Sequence, residues 1–94
     1  RVGHHVALRS GVTLAHDAVI GDFSFLGSGS TVLGYVQLGT GAHIAPNSVI
    51  KERVTVGKYA VVGLGSVVLK DVEPFSIVAG IPARKVGEVE RYRT

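Results

Sequence analysis

Cysteine, methionine and tryptophan are absent from the 94-residue sequence, and proline occurs only three times. The lack of cysteine excludes disulfides, thiolate metal sites and a cysteine nucleophile, and leaves the redox compartment open. Long apolar runs are also missing. The longest uncharged stretch near the C-terminus, residues 59–69, falls far short of the roughly 20 apolar residues a spanning helix needs, and glycines interrupt it. No membrane partner is expected. Aromatics are sparse and no basic stripe interleaves with them, which argues against a nucleic-acid partner. The opening segment RVGHHVALRS has neither an apolar signal core nor an initiator methionine, so the chain reads as a domain cut from a longer protein.

The formal charge is +3 and the pI about 9.6, which favours an anionic partner. Four of the ten basic residues lie in the last eleven positions, so the excess is partly a tail effect. A chain of this length is one domain and buries only a modest core unless repetition or oligomerisation adds contacts.

Repetition is what the sequence has. Stepping by six from Val2 gives Leu8, Leu14, Ile20, Leu26, Val32, Leu38, Ile44, Ile50, Val56, Val62 and Val68, every one aliphatic. Four places after each stands a small or β-branched residue, from Val6 and Val12 through Ser24, Ser30 and Ala42 to Ser66 and Val72. Glycine or alanine follows the aliphatic in eight of the twelve hexads, and these are the expected turning points of the backbone. A six-residue period forms no single stripe on a helix of 3.6 residues per turn. It suits short strands, because the small residue and the next aliphatic lie two apart and face the same way.

Three hexads closing into a triangle make an 18-residue rung, and about four rungs fit between Val2 and Glu73. The expected fold is therefore all-β, a parallel β-helix with its aliphatics piled in one core. Residues 18 apart then stack about 4.8 Å from one another. His16 falls on one corner beneath Gly34, Glu52 and Lys70. Three outward columns follow: Ala7, Phe25, His43 and Val61; Thr13, Thr31, Val49 and Val67; Val19, Gln37, Thr55 and Glu73. Outer sides this apolar call for a partner on at least one of them. Pro74 and Pro82 break the pattern, and the segment ARKVGEVERYR is expected to form a short helix capping the open end. The boundaries read 1–75 for the β-helix and 76–94 for the cap.

The stretch TLAHDAVIGDFSFLG, residues 13–27, places His16 and Asp17 on a corner where an exposed histidine beside a solubilising acid is the plainer reading. With the hexads and the closing VAGIPARKV, however, the chain resembles the hexapeptide-repeat acyltransferases. Within them, HDAVIGDF is most similar to the sialic acid O-acetyltransferase (NeuD) type and to enzymes that N-acetylate nucleotide-linked amino sugars (PglD-like). The resemblance implies a left-handed coil, against the usual right-handed preference of parallel crossovers.

It also implies a cytoplasmic homotrimer with acetyl-CoA and a sugar or nucleotide-sugar acceptor bound between neighbouring coils, and an N-terminal domain ahead of residue 1. On that reading His16 is the general base, imidazole being the side chain whose ordinary titration range spans neutral pH, and Asp17 orients it. A second histidine often follows nine residues after the base, where this chain has Phe25. His43, one rung above, is a substitute contact for the acetyl donor or else packs on Phe25. Gly34, Pro46 and Leu64 fall at coenzyme positions, Pro46 offering only its carbonyl, while Gly63 and Gly65 allow close backbone approach of the coenzyme or merely make the corner. Arg84 and Lys85 are candidates for the coenzyme phosphates.

Two other classes stay open. A non-catalytic β-helix scaffold needs none of this chemistry, and a zinc-dependent hydratase of the carbonic anhydrase type needs three converging histidines that these spacings do not bring together in one chain. No metal is expected.

Overall fold

An aliphatic residue and the small residue two places before it must share a face of any strand, so each hexad turns one apolar edge inward. A computed structural model, describing residues 1–90, builds the chain from that unit. Eleven two-residue strands recur every six residues. They are β1 (Ala7–Leu8), β2 (Thr13–Leu14), β3 (Val19–Ile20), β4 (Phe25–Leu26), β5 (Thr31–Val32), β6 (Gln37–Leu38), β7 (His43–Ile44), β8 (Val49–Ile50), β9 (Thr55–Val56), β10 (Val61–Val62) and β11 (Val67–Val68). β12 (Ser76–Gly80) and β13 (Ala83–Glu88) follow.

The strands sort into three parallel sheets, one per side of a triangular coil: β1-β4-β7-β10 continuing into β12, β2-β5-β8-β11, and β3-β6-β9. Partners lie 18 residues apart, as in Thr13 with Thr31 and His43 with Val61.

The core is the column of hexad aliphatics. Leu26, Val32, Ile44, Ile50, Val56 and Val62 are fully buried, whereas Val2 and Leu8, in the first rung, are 46% exposed. The small positions complete the fill, and three of their serines cap their own corners. Ser24, Ser30 and Ser66 each donate a hydroxyl hydrogen bond to the carbonyl three residues back, on Gly21, Gly27 and Gly63. The buried hydroxyls are thereby satisfied at little cost.

Three expectations are corrected. First, the glycines after the aliphatics are not where the backbone adopts left-handed geometry. At Gly39 a β-carbon would stand 2.6 Å from the Lys58 nitrogen of the next rung, so glycine is required there by close approach. The positive φ falls two residues later, on Gly11, Gly29, Gly41 and Gly65 but also on His5, Asp17, Phe23, Tyr35, Asn47, Arg53 and Tyr59. Left-handed geometry costs an ordinary residue roughly 1–2 kcal/mol, and the ladders on both flanks hold it in place.

Second, the register slips at the last corner. Val72 bridges Val56 and Val61 pairs with Ile77, a step of 16 rather than 18. Glu73 therefore leaves the column above Thr55, whose N–H is met instead by the Asp71 carboxylate at 2.9 Å.

Third, the segment after Pro82 is a strand and not a helix. β13 pairs antiparallel with β12, extending the first side past the end of the coil. The edge of β12 offers ladder bonds that outweigh the helical preference of ARKVGEVE. The hairpin still caps in part, since Ala83 packs on the core where Val68, Val72 and Val78 are buried. Residues 91–94 of the expected cap lie outside the described residues.

Replacing Ile44 by alanine is expected to cost about 2–5 kcal/mol, against less than about 1 kcal/mol for Leu8→Ala, whose side chain is already half in water. Urea unfolding of the two variants beside the parent checks the difference.

Candidate active site

The corner between β2 and β3 carries His16. Its side chain lies across the rung above, because a β-carbon added to Gly34 would sit 3.1 Å from Nε2 and 3.2 Å from Cε1. Gly34 is buried under the ring, so its lack of a side chain is what admits the imidazole. The ring then meets Tyr35 edge to face, with centroids 5.3 Å apart at 88°. The Tyr35 N–H donates to the His16 carbonyl at 3.2 Å, which ties the two rungs at this corner. On the far side of Tyr35, the Arg53 guanidinium lies 4.6 Å from the ring centre. Neither Tyr35 nor Arg53 stood out in the sequence, because only side-chain directions at successive corners reveal the stack.

Asp17 occupies the left-handed position of the same corner, with φ of 58°. Among the described residues its carboxylate makes no hydrogen bond to His16, so the imidazole is held by Gly34 and Tyr35.

The other candidate residues fall elsewhere on the coil. Phe25 and His43 stack on the first side, the side opposite the His16 corner, with centroids 4.6 Å apart at 19°. Arg9 lies over Phe25 at 5.4 Å. Pro46, Gly63 and Leu64 belong to the corner between the first and second sides. There the Pro46 carbonyl accepts the Gly65 N–H at 3.0 Å, so the group expected to serve a ligand already serves the ladder. Leu64 is 73% exposed beside open space at Gly65.

Arg84 and Lys85 line a groove of about 490 Å³ at the end of the coil, opposite Lys70 and Asp71. Lys85 is bonded to Glu88 at 2.8 Å, and that hydrogen bond raises its pKa. Arg84 makes no ion pair among the described residues and is the freer cation. One chain thus gathers His16, Asp17 and Gly34 at one place, and Phe25 with His43 at another. A triangle's corner and its opposite side cannot converge on one small group.

No group of three or more histidine, aspartate and glutamate side chains is placed to hold a metal among the described residues. Among the described residues no helix is long and apolar enough to cross a membrane.

No family model matches the chain. Comparison with individual proteins is more informative. An acyl-[acyl-carrier-protein]–UDP-N-acetylglucosamine O-acyltransferase of Thiobacillus denitrificans is 32% identical over 87 residues, which is 93% of this chain and 34% of that protein. The chain spans about a third of the length of the curated relatives it matches. Among solved structures, a serine acetyltransferase in complex with CoA superposes with a TM-score of 0.88 at 31% identity, over 92% of this chain and 38% of the other. The acetyltransferase domain of PglB from Neisseria gonorrhoeae, in complex with acetyl coenzyme A, gives 0.83 at 27% identity, over 86% of this chain and 40% of the other. The coil is the left-handed parallel β-helix of these proteins.

Gly34→Ala is expected to displace the His16 ring while leaving the stack of His43 on Phe25 intact. Histidine-selective NMR checks this: the His16 ring signals move, and those of His43 stay.

Proposed function

We propose that the chain is a hexapeptide-repeat acyltransferase module and that within its parent protein it moves an acetyl group from acetyl-CoA to a hydroxyl or amine of a sugar or nucleotide sugar, a reading supported by its likeness to acyltransferases and acetyltransferases of this fold. The observation that carries this reading is the imidazole of His16, seated on Gly34 and braced by Tyr35 at the coil's surface. An imidazole so held presents a base without the entropy loss of ordering it during reaction.

The chemistry is direct transfer. The acceptor oxygen or nitrogen attacks the thioester carbonyl carbon while His16 removes its proton. A carbon–oxygen or carbon–nitrogen bond forms, the carbon–sulfur bond breaks, and the proton returns from His16 to the departing thiolate. Asp17, one residue along, supplies a carboxylate beside the imidazolium that forms between those steps.

Coenzyme A as substrate fits surfaces this chain leaves available. Leu64 exposes an apolar side chain beside open space at Gly65, and Ile81 is exposed next to Gly80, whose N–H reaches the Ser66 hydroxyl at 3.1 Å, a setting suited to the pantetheine arm. Arg84, with Lys70 and Lys85 in the same groove, suits the phosphates. Because Phe25 and His43 face away from His16 within one chain, the complete site takes residues from adjacent coils, in keeping with a homotrimer. The full enzyme, on this reading, is cytoplasmic and carries a further N-terminal domain that helps to choose the sugar.

With the full-length protein, acetyl-CoA and a panel of amino sugars and nucleotide sugars, thiol release should fall by about 10²–10⁴ in His16→Ala, the range for loss of a general base. Asp17→Asn should lose less. Turnover of His16→Ala at the parent rate removes the base assignment.

A further inference from the structure

The His16 corner holds a cation that the transfer chemistry does not use. Arg53 sits in the third rung, in the left-handed position with φ of 67°, and lays its guanidinium on the Tyr35 ring at 4.6 Å. The same ring meets His16 from its other neighbour, at 5.3 Å. Tyr35 is thus a shared plate between an imidazole and a guanidinium.

The neighbouring carboxylates, Glu52 beside Arg53 in sequence and Asp71 eighteen residues on, are engaged elsewhere. Glu52 pairs with Lys51 at 3.6 Å. Its carboxyl is held below the usual range first by a backbone hydrogen bond and then by the charge of Lys51, with Arg53 the weakest contributor. Asp71 accepts the Thr55 N–H at 2.9 Å. Arg53 makes no ion pair among the described residues. A guanidinium lying over an aromatic ring spends none of its N–H donors on an ion pair, and those donors match carboxylate and phosphate oxygens in pairs. The stack also fixes the side chain in advance, which lowers the entropy cost of using it.

We propose that Arg53 binds an anionic group of the acceptor, a phosphate or diphosphate carried by the sugar whose nucleophile His16 deprotonates. This deepens the acyl-transfer reading and rests on it. The base and the anion-binding arm share Tyr35, so the acceptor is held by its charged end along the corner while its hydroxyl or amine meets His16. Neutral sugars lack the group that Arg53 takes, and the corner selects against them. Phosphate from a nucleotide and phosphate directly on the sugar present the same oxygens to the guanidinium, and the experiment separates the two sources.

The test uses the full-length protein with saturating acetyl-CoA and three acceptor arms: a nucleoside diphosphate sugar, the matching sugar 1-phosphate and the neutral sugar. Arg53→Asn is the variant of choice, because asparagine tolerates left-handed backbone geometry. The expected result is a KM at least about tenfold higher for the charged acceptors, with kcat within about twofold and the KM for acetyl-CoA and for the neutral sugar unchanged. Arg53→Lys keeps the charge but not the planar stack and should recover only part of the loss. An effect on the diphosphate arm alone assigns the ligand to a nucleotide, and an equal effect on the sugar 1-phosphate assigns it to a sugar phosphate.

Calorimetry with uridine diphosphate and with inorganic pyrophosphate gives a readout that needs no turnover: affinity for at least one falls at least about tenfold in Arg53→Asn. Equal losses on charged and neutral acceptors, a raised KM for acetyl-CoA, or unchanged binding of both anions overturns the proposal. A fully active His16→Ala would remove the base and leave the Arg53 discrimination standing, so the two readings fail separately.

Discussion

Each rung is tied to the next by parallel backbone bonds such as Thr13 N–H to the Ser30 carbonyl at 3.0 Å and Thr31 N–H to the Ser48 carbonyl at 2.8 Å. From β1 to β11 those bonds hold equivalent residues 18 apart, and 18 is three hexads. The same spacing that satisfies the backbone also drops each aliphatic onto the one below it, so ladder and core are a single constraint. Aliphatics at Leu26, Ile44 and Val62 are fully buried because neither the ladder nor the core can shift without the other. A coil this regular is stabilised by neighbouring rungs rather than by distant contacts, which suits a short chain with no cysteine.

Fixing the inside so tightly leaves the corners chemically free. Every corner has to turn, and the flanking ladders hold residues as different as Asp17, Phe23, Tyr35 and Arg53 in left-handed geometry. The three edges differ accordingly. One carries Phe23 and a stack of Tyr59 on Phe75, one carries mainly glycine and asparagine at its left-handed positions, and one carries His16, Asp17, Tyr35 and Arg53. Chemistry is placed at a corner by choosing residues 18 or 19 apart, and the coil delivers them to adjacent rungs. Gly34 and Tyr35 illustrate it: the first makes room for the imidazole and the second braces it.

The period, the three sides, the core and the position of His16 beneath Gly34 were legible in the sequence because every one follows from the count of six. What escaped it follows from forces that the count does not contain. The helix expected after Pro82 became β13 because an open strand edge on β12 was available to pair. The two-residue shortening at Val72 occurs where the aliphatic-small pattern gives way to Glu73 and Pro74, and the pairing of Val72 with Val56 keeps an aliphatic on the core. Left-handed turns two residues beyond the glycines carry no common residue type, so composition gave no sign of them. The stack of Arg53 on Tyr35 depends on side-chain direction, which no spacing rule specifies.

The central claim is that this coil presents His16 to a thioester held between neighbouring copies of the chain. A crystal structure of the full-length protein with coenzyme A tests it most directly. The account predicts the coenzyme in a groove between two coils, its sulfur within reach of the His16 ring and its phosphates near Arg84. A coenzyme bound away from that corner, with His16 facing open solvent in the assembled protein, would contradict it.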